Sequence, residues 1–98
     1  MPEKRSHKIT ATRIAGRLGT TYNAGKGVDI KSSLATVEVE TPETVDDAPG
    51  QLRGHKGPVY IAGTNDKAVE MALKVTEGMT VGVMDNRGNI VKHSTRKR

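Results

Sequence analysis

Apolar positions follow two periods along this chain. Ile14, Ala15 and Leu18 recur at helical spacing, Tyr22 lies one turn further on, and Gly19 supplies a stop, which predicts a helix over residues 10–18. Asn23-Ala24-Gly25-Lys26-Gly27 reads as a loop, and Val28-Asp29-Ile30 as a short strand. Residues 34–40 give the clearest strand. Alternation sets Ala35, Val37 and Val39 on one face and Leu34, Thr36, Glu38 and Glu40 on the other. Thr41-Pro42 has the form of an N-cap followed by a helix-starting proline. Residues 44–55 then suit a second helix, which Pro49 and Gly50 disturb and which starts either near Thr44 or at Pro49.

The second half repeats the alternation of strand and helix. Val59-Tyr60-Ile61-Ala62 is a buried-type strand. Asn65 or Asp66 caps a helix that runs to about Glu77, with Val69, Ala72, Leu73 and Thr76 inward and Gly78 as its stop. Residues 79–84 form a strand, Asp85-Asn86-Arg87-Gly88 a turn, and residues 89–93 the returning strand. The order is α-β-β-α-β-α-β-β. It predicts an α/β domain whose mixed sheet is flanked by helices on both faces.

Composition narrows this picture. The chain has 98 residues, the size of one domain, with no Phe, Trp or Cys and only two tyrosines. Its core must come from Val, Ile, Leu, Met and Ala. The near absence of aromatic platforms argues against single-strand recognition by stacking. The lack of cysteine excludes a disulfide scaffold, a thiolate zinc site and a cysteine nucleophile, and fits a reducing compartment. No apolar run nears the roughly 20 residues of a membrane span, and the first residues have no signal-peptide core. The expectation is a cytoplasmic protein without a membrane partner. A core this modest makes a homodimer the natural expectation.

The net charge of +5 makes nucleic acid the first candidate partner. Basic arms at 1–8 and 94–98 enclose the chain, while residues 38–47 are acidic. Within that stretch Glu38 and Glu40 stand two apart on a strand, so their carboxylates share a face. Asp29 lies on the preceding strand. Three carboxylates on adjacent strands suit one hard cation, Mg²⁺ or Mn²⁺, which takes oxygen ligands. Leu34, on the face of the glutamates, suggests that this face is partly covered. A solvated acidic face is the plain alternative. Gly25-Lys26-Gly27 lacks the Ser or Thr of a nucleotide-hydrolase loop.

Residues 10–63 resemble the PD-(D/E)xK nuclease superfamily, which includes Holliday-junction resolvases and RecB-type nuclease domains. The likeness rests on Gly27-Val28-Asp29-Ile30, on Val37-Glu38-Val39-Glu40, on Gln51-Leu52-Arg53-Gly54-His55, and on the strand Val59-Tyr60-Ile61-Ala62. It implies a restriction-endonuclease-like fold and metal-dependent hydrolysis of DNA. Asp29, Glu38, Glu40 and the Val39 carbonyl would hold the metal, and Gln51 would orient the nucleophilic water or a phosphate. Two departures stand out: Val28 replaces the family's proline, and Glu40 replaces its lysine. Lys31, Lys26 or Lys56 could stand in for the lysine, and Lys31 follows Asp29 by two residues. Arg13, Arg17 and Lys26 suit a phosphate-binding rim beside the acidic centre, with Arg53, His55 and Lys56 as further nucleic-acid contacts. His7 and His93 are too far apart in sequence to suggest a metal site. The alternatives are a catalytically silent nucleic-acid-binding module of the same fold, and a small protein-interaction domain.

Overall fold

The computed structural model describes residues 5–23, 28–52, 54–55 and 57–95. Of the residues singled out above, Lys26, Arg53 and Lys56 lie outside this set, as does the side chain of Gln51.

The chain forms α1 (Arg5–Arg17), β1 (Ile30–Lys31), β2 (Thr36–Glu40), a 3₁₀ turn (Val45–Asp47), α2 (Ala48–Gln51), β3 (Val59–Gly63), α3 (Asp66–Val75), β4 (Gly82–Met84) and β5 (Ile90–Lys92). The strands make one mixed sheet in the order β1-β2-β3-β4-β5. The two outer pairs are antiparallel, while β2-β3 and β3-β4 are parallel. The expected α/β class is therefore present. Among the described residues no helix is long and apolar enough to cross a membrane.

Helices cover both faces. On one, Ala11, Ile14 and Ala15 of α1 pack on Ile30, Val37, Val39, Tyr60, Ala62 and Met84. On the other, Val45, Ala48 and Leu52 join Ala68 and Ala72 of α3 over Val59, Ile61, Val81 and Val83. The two parallel connections thus share a face, as successive crossovers of one hand require. Gly63 permits the close approach of α3. A Cβ there would stand 2.6 Å from the backbone nitrogen of Val69. The same helix starts at Asn65, whose side chain accepts from the Ala68 N–H at 2.8 Å.

Several sequence expectations shift. Helix α1 begins at Arg5, so residues 5–8 of the basic N-terminal stretch are helical. Strand β1 starts only at Ile30. Leu34 precedes β2 and is 56% exposed, so it does not cover the glutamates. The proline at 42 starts no helix. Helical structure begins at Val45 as a 3₁₀ turn and becomes α only at Ala48. Pro49 has no N–H to donate back to residue 45, which explains the change of pitch beside it.

Candidate functional site

Strand β1 is two residues long, and its register sets Ile30 opposite Val37. Along the rest of β2 a side chain replaces the missing strand. The Val39 N–H donates to Asp29 Oδ2 at 2.9 Å, and the Asp29 N–H donates to Glu38 Oε1 at 3.0 Å. The Asp29 carbonyl accepts from the Asn23 N–H at 2.8 Å. Asp29 is thereby fixed at the sheet edge by backbone and carboxylate alike.

A cleft of about 300 Å³ opens here, lined by His7, Asp29, Glu38, Val39, Glu40, Thr44 and Asp47. Glu38 and Glu40 form its buried wall, each only 4% exposed. Alternation along β2 turns them away from α1, because Val37 and Val39 occupy the α1 side. Parallel pairing sets them opposite Ile61 and Gly63. The expectation that Asp29, Glu38 and Glu40 approach one another is met in geometry.

His7 reaches the cleft from α1. Its Nε2 lies 3.2 Å from Asp29 Oδ2, and its Nδ1 lies 3.4 Å from the Tyr22 hydroxyl. A ring protonated at Nε2 satisfies both contacts, donating to the carboxylate and accepting from the phenol. The rings of His7 and Tyr22 meet edge on, with centroids 5.8 Å apart. Thr44, just before the 3₁₀ turn, accepts from the Thr41 N–H at 3.0 Å, and its hydroxyl also hydrogen-bonds Glu40.

Burial controls the protonation of this wall. Loss of water, then the charge of Asp29, push the Glu38 carboxyl from 4.5 up to about 8, against the opposing pull of the Asp29 N–H. Glu40 also titrates above its ordinary range, chiefly through burial. The Thr44 hydroxyl and the hydrogen bond from Glu38 hold that rise back. Near neutral pH Glu38 therefore keeps its proton and donates it in the hydrogen bond to Glu40. Among the described residues no three His, Asp or Glu side chains are arranged to hold a metal ion in this conformation.

The other sequence candidates lie elsewhere. Lys31 is exposed opposite Thr36 and does not line the cleft. His55, half-buried after α2, does not line it either. Arg13 and Arg17 form no rim beside the carboxylates, because their guanidinium groups bind the turn between β4 and β5. Sequence reasoning missed His7, Thr44 and Asp47. A signal for His7 was available: it precedes Ala11, Ile14 and Ala15 by four, seven and eight residues, on the same helical stripe.

The chain matches no protein-family model, no curated protein and no solved structure, so the PD-(D/E)xK resemblance stands on the residues quoted for it.

Proposed function

We propose that this chain is a divalent-metal-dependent endonuclease acting on DNA, with a restriction-endonuclease-like core. The observation that supports it is the burial of Glu38 and Glu40 against Asp29. Three carboxyl groups in so small a space need either a shared proton or a cation, and Glu38 takes the proton. Mg²⁺ or Mn²⁺ would be held by Asp29, Glu38 and Glu40 with the Val39 carbonyl, displacing the proton at Glu38. A bound ion of this kind supplies charge neutralisation at the scissile phosphate and activation of the attacking water. His7 positions Asp29 by its 3.2 Å contact. A homodimer would present two such clefts to a duplex.

The second reading is a catalytically silent DNA-binding module. What favours it is Glu40 itself, a buried acid where the resemblance calls for lysine, in a cleft that no described lysine lines.

Incubation with supercoiled and branched DNA separates the two, using Mg²⁺ or Mn²⁺ against chelator. Nicking that needs the metal and disappears in Glu38→Gln upholds the endonuclease. Salt-sensitive binding without nicking upholds the silent module. Absence of both removes nucleic acid from the account.

A further inference from the structure

Where α1 meets the turn between β4 and β5, three arginines gather. Arg13 Nη1 donates to the Asn86 carbonyl at 3.1 Å. Arg17 Nη1 donates to the Arg87 carbonyl at 2.8 Å and to Asn89 Oδ1 at 3.1 Å. A Cβ on Gly88 would stand 3.3 Å from Arg17 Cδ, so the turn also packs on the arginine stem. Asp85 shapes the turn through its Oδ1, which accepts from the N–H groups of Arg87 and Asn89 at 2.9 and 3.0 Å. All three arginines are exposed, and among the described residues none forms a close ion pair with a carboxylate, though the charge of Arg87 acts on Asp85 in the same turn. Each bound guanidinium spends one nitrogen on the turn and keeps its remaining N–H groups for an outside acceptor.

We infer that Arg13, Arg17 and Arg87 form a phosphate-contact surface for the backbone of duplex DNA, distinct from the acidic cleft. The identity of the polyanion rests on the nuclease reading. Arg13 and Arg17 are held in place by neutral groups of the turn, so three cationic charges face one lone carboxylate, Asp85, an arrangement that favours an anionic visitor and leaves base identity unread. Along α1, Arg13 and Arg17 follow His7 by six and ten residues, about 9 and 15 Å of helix axis. The arginines sit at the β4–β5 turn and the cleft on the β1–β2 edge, so the two lie toward opposite ends of the sheet.

The test is duplex binding by fluorescence anisotropy in chelator, between about 50 and 200 mM salt. Each phosphate contact contributes about 0.9 to the slope of log affinity against log salt. Substituting Gln for all three arginines should flatten that slope by about 3, equivalent to a salt-induced loss about 40-fold smaller than in wild type. Arg87→Gln alone should flatten it by about 1 with a nearly unchanged melting temperature, since among the described residues its side chain supports the turn only through its exposed charge on Asp85. Arg13→Lys with Arg17→Lys keeps the charge while loosening the turn, and should retain most of the slope. Wild-type binding whose slope is the same in the Gln variants overturns the surface. So does failure to bind DNA alongside arginine-dependent binding to vesicles of anionic phospholipid, or failure to bind either. Nicking with Mg²⁺ is scored separately. A protein that nicks without arginine-dependent binding refutes the surface alone, and one that binds through the arginines without nicking refutes the cleavage alone.

Discussion

Glu38→Gln tests the electrostatics of the cleft most directly. In the wild type the folded-state carboxyl titrates at about 8, while its ordinary value is 4.5. Below about pH 4.5 the group is protonated folded and unfolded, and it costs nothing. Between those values the unfolded chain gives up the proton and the folded chain keeps it. Rising pH then favours unfolding by about 1.4 kcal/mol per unit. Above about pH 8 the loss is complete, at roughly 5 kcal/mol, a large share of the 5–15 kcal/mol typical of a domain. A glutamine at 38 reproduces the neutral form. Its amide donates to Glu40 and its oxygen accepts from the Asp29 N–H, the bond that is 3.0 Å long in the wild type. At pH 5 the two proteins should agree within about 1 kcal/mol. At pH 8.5 the variant should be more stable by several kcal/mol, on the order of 2 M or more in urea midpoint at a slope near 1 kcal/mol per M. Urea unfolding at half-unit pH intervals, in chelator, reads this difference. Parallel stability curves for the two proteins would show that Glu38 is not held protonated and would refute the argument.

At pH 8, Mn²⁺ at about 100 times its dissociation constant should stabilise wild type by about 2.7 kcal/mol; Asp29→Asn and Glu38→Gln should lose this gain in the same urea titration. Asn65→Ala removes the oxygen that accepts from the Ala68 N–H and should cost about 1 kcal/mol, read as a lower midpoint with the slope unchanged. Gly63→Ala drives a Cβ against the Val69 nitrogen and should cost about 3 kcal/mol, with amide exchange rising first at the start of α3. Lys92 Nζ donates to the Thr76 carbonyl at 2.7 Å, closing the C-terminal end of α3. Lys92→Met should cost about 1 kcal/mol and raise exchange in the last turn of that helix.

Local chemistry alone made much of this fold legible. The alternation of residues 35–39 assigned each β2 side chain to its face, because a strand has a period of two. The Asn65 cap and the inward Ala72 and Thr76 followed from the helical period of α3 and the needs of its first N–H groups. Boundaries were less legible. Residues 5–8 look like a charged arm in sequence, but join α1 because Ala11, Ile14 and Ala15 anchor it to the sheet. Leu34 looks like part of β2, but lies outside it because β1 and β2 pair only from Lys31 and Thr36 onward.

The acidic triad was visible as a proximity of letters, since Asp29 precedes Glu38 by one tight turn. Its environment was not. Whether Glu38 and Glu40 meet water or a wall depends on Ile61 and Gly63 across the parallel pair, and on the 3₁₀ turn and α2 packed over the same face of the sheet. His7 enters by the long route through α1, and Arg13 and Arg17 leave for turn residues 73 and 70 positions away. Periodicity determines which side a residue faces. Which distant side chains share that side, and so which acids keep their protons, is decided only when the helices close over the sheet.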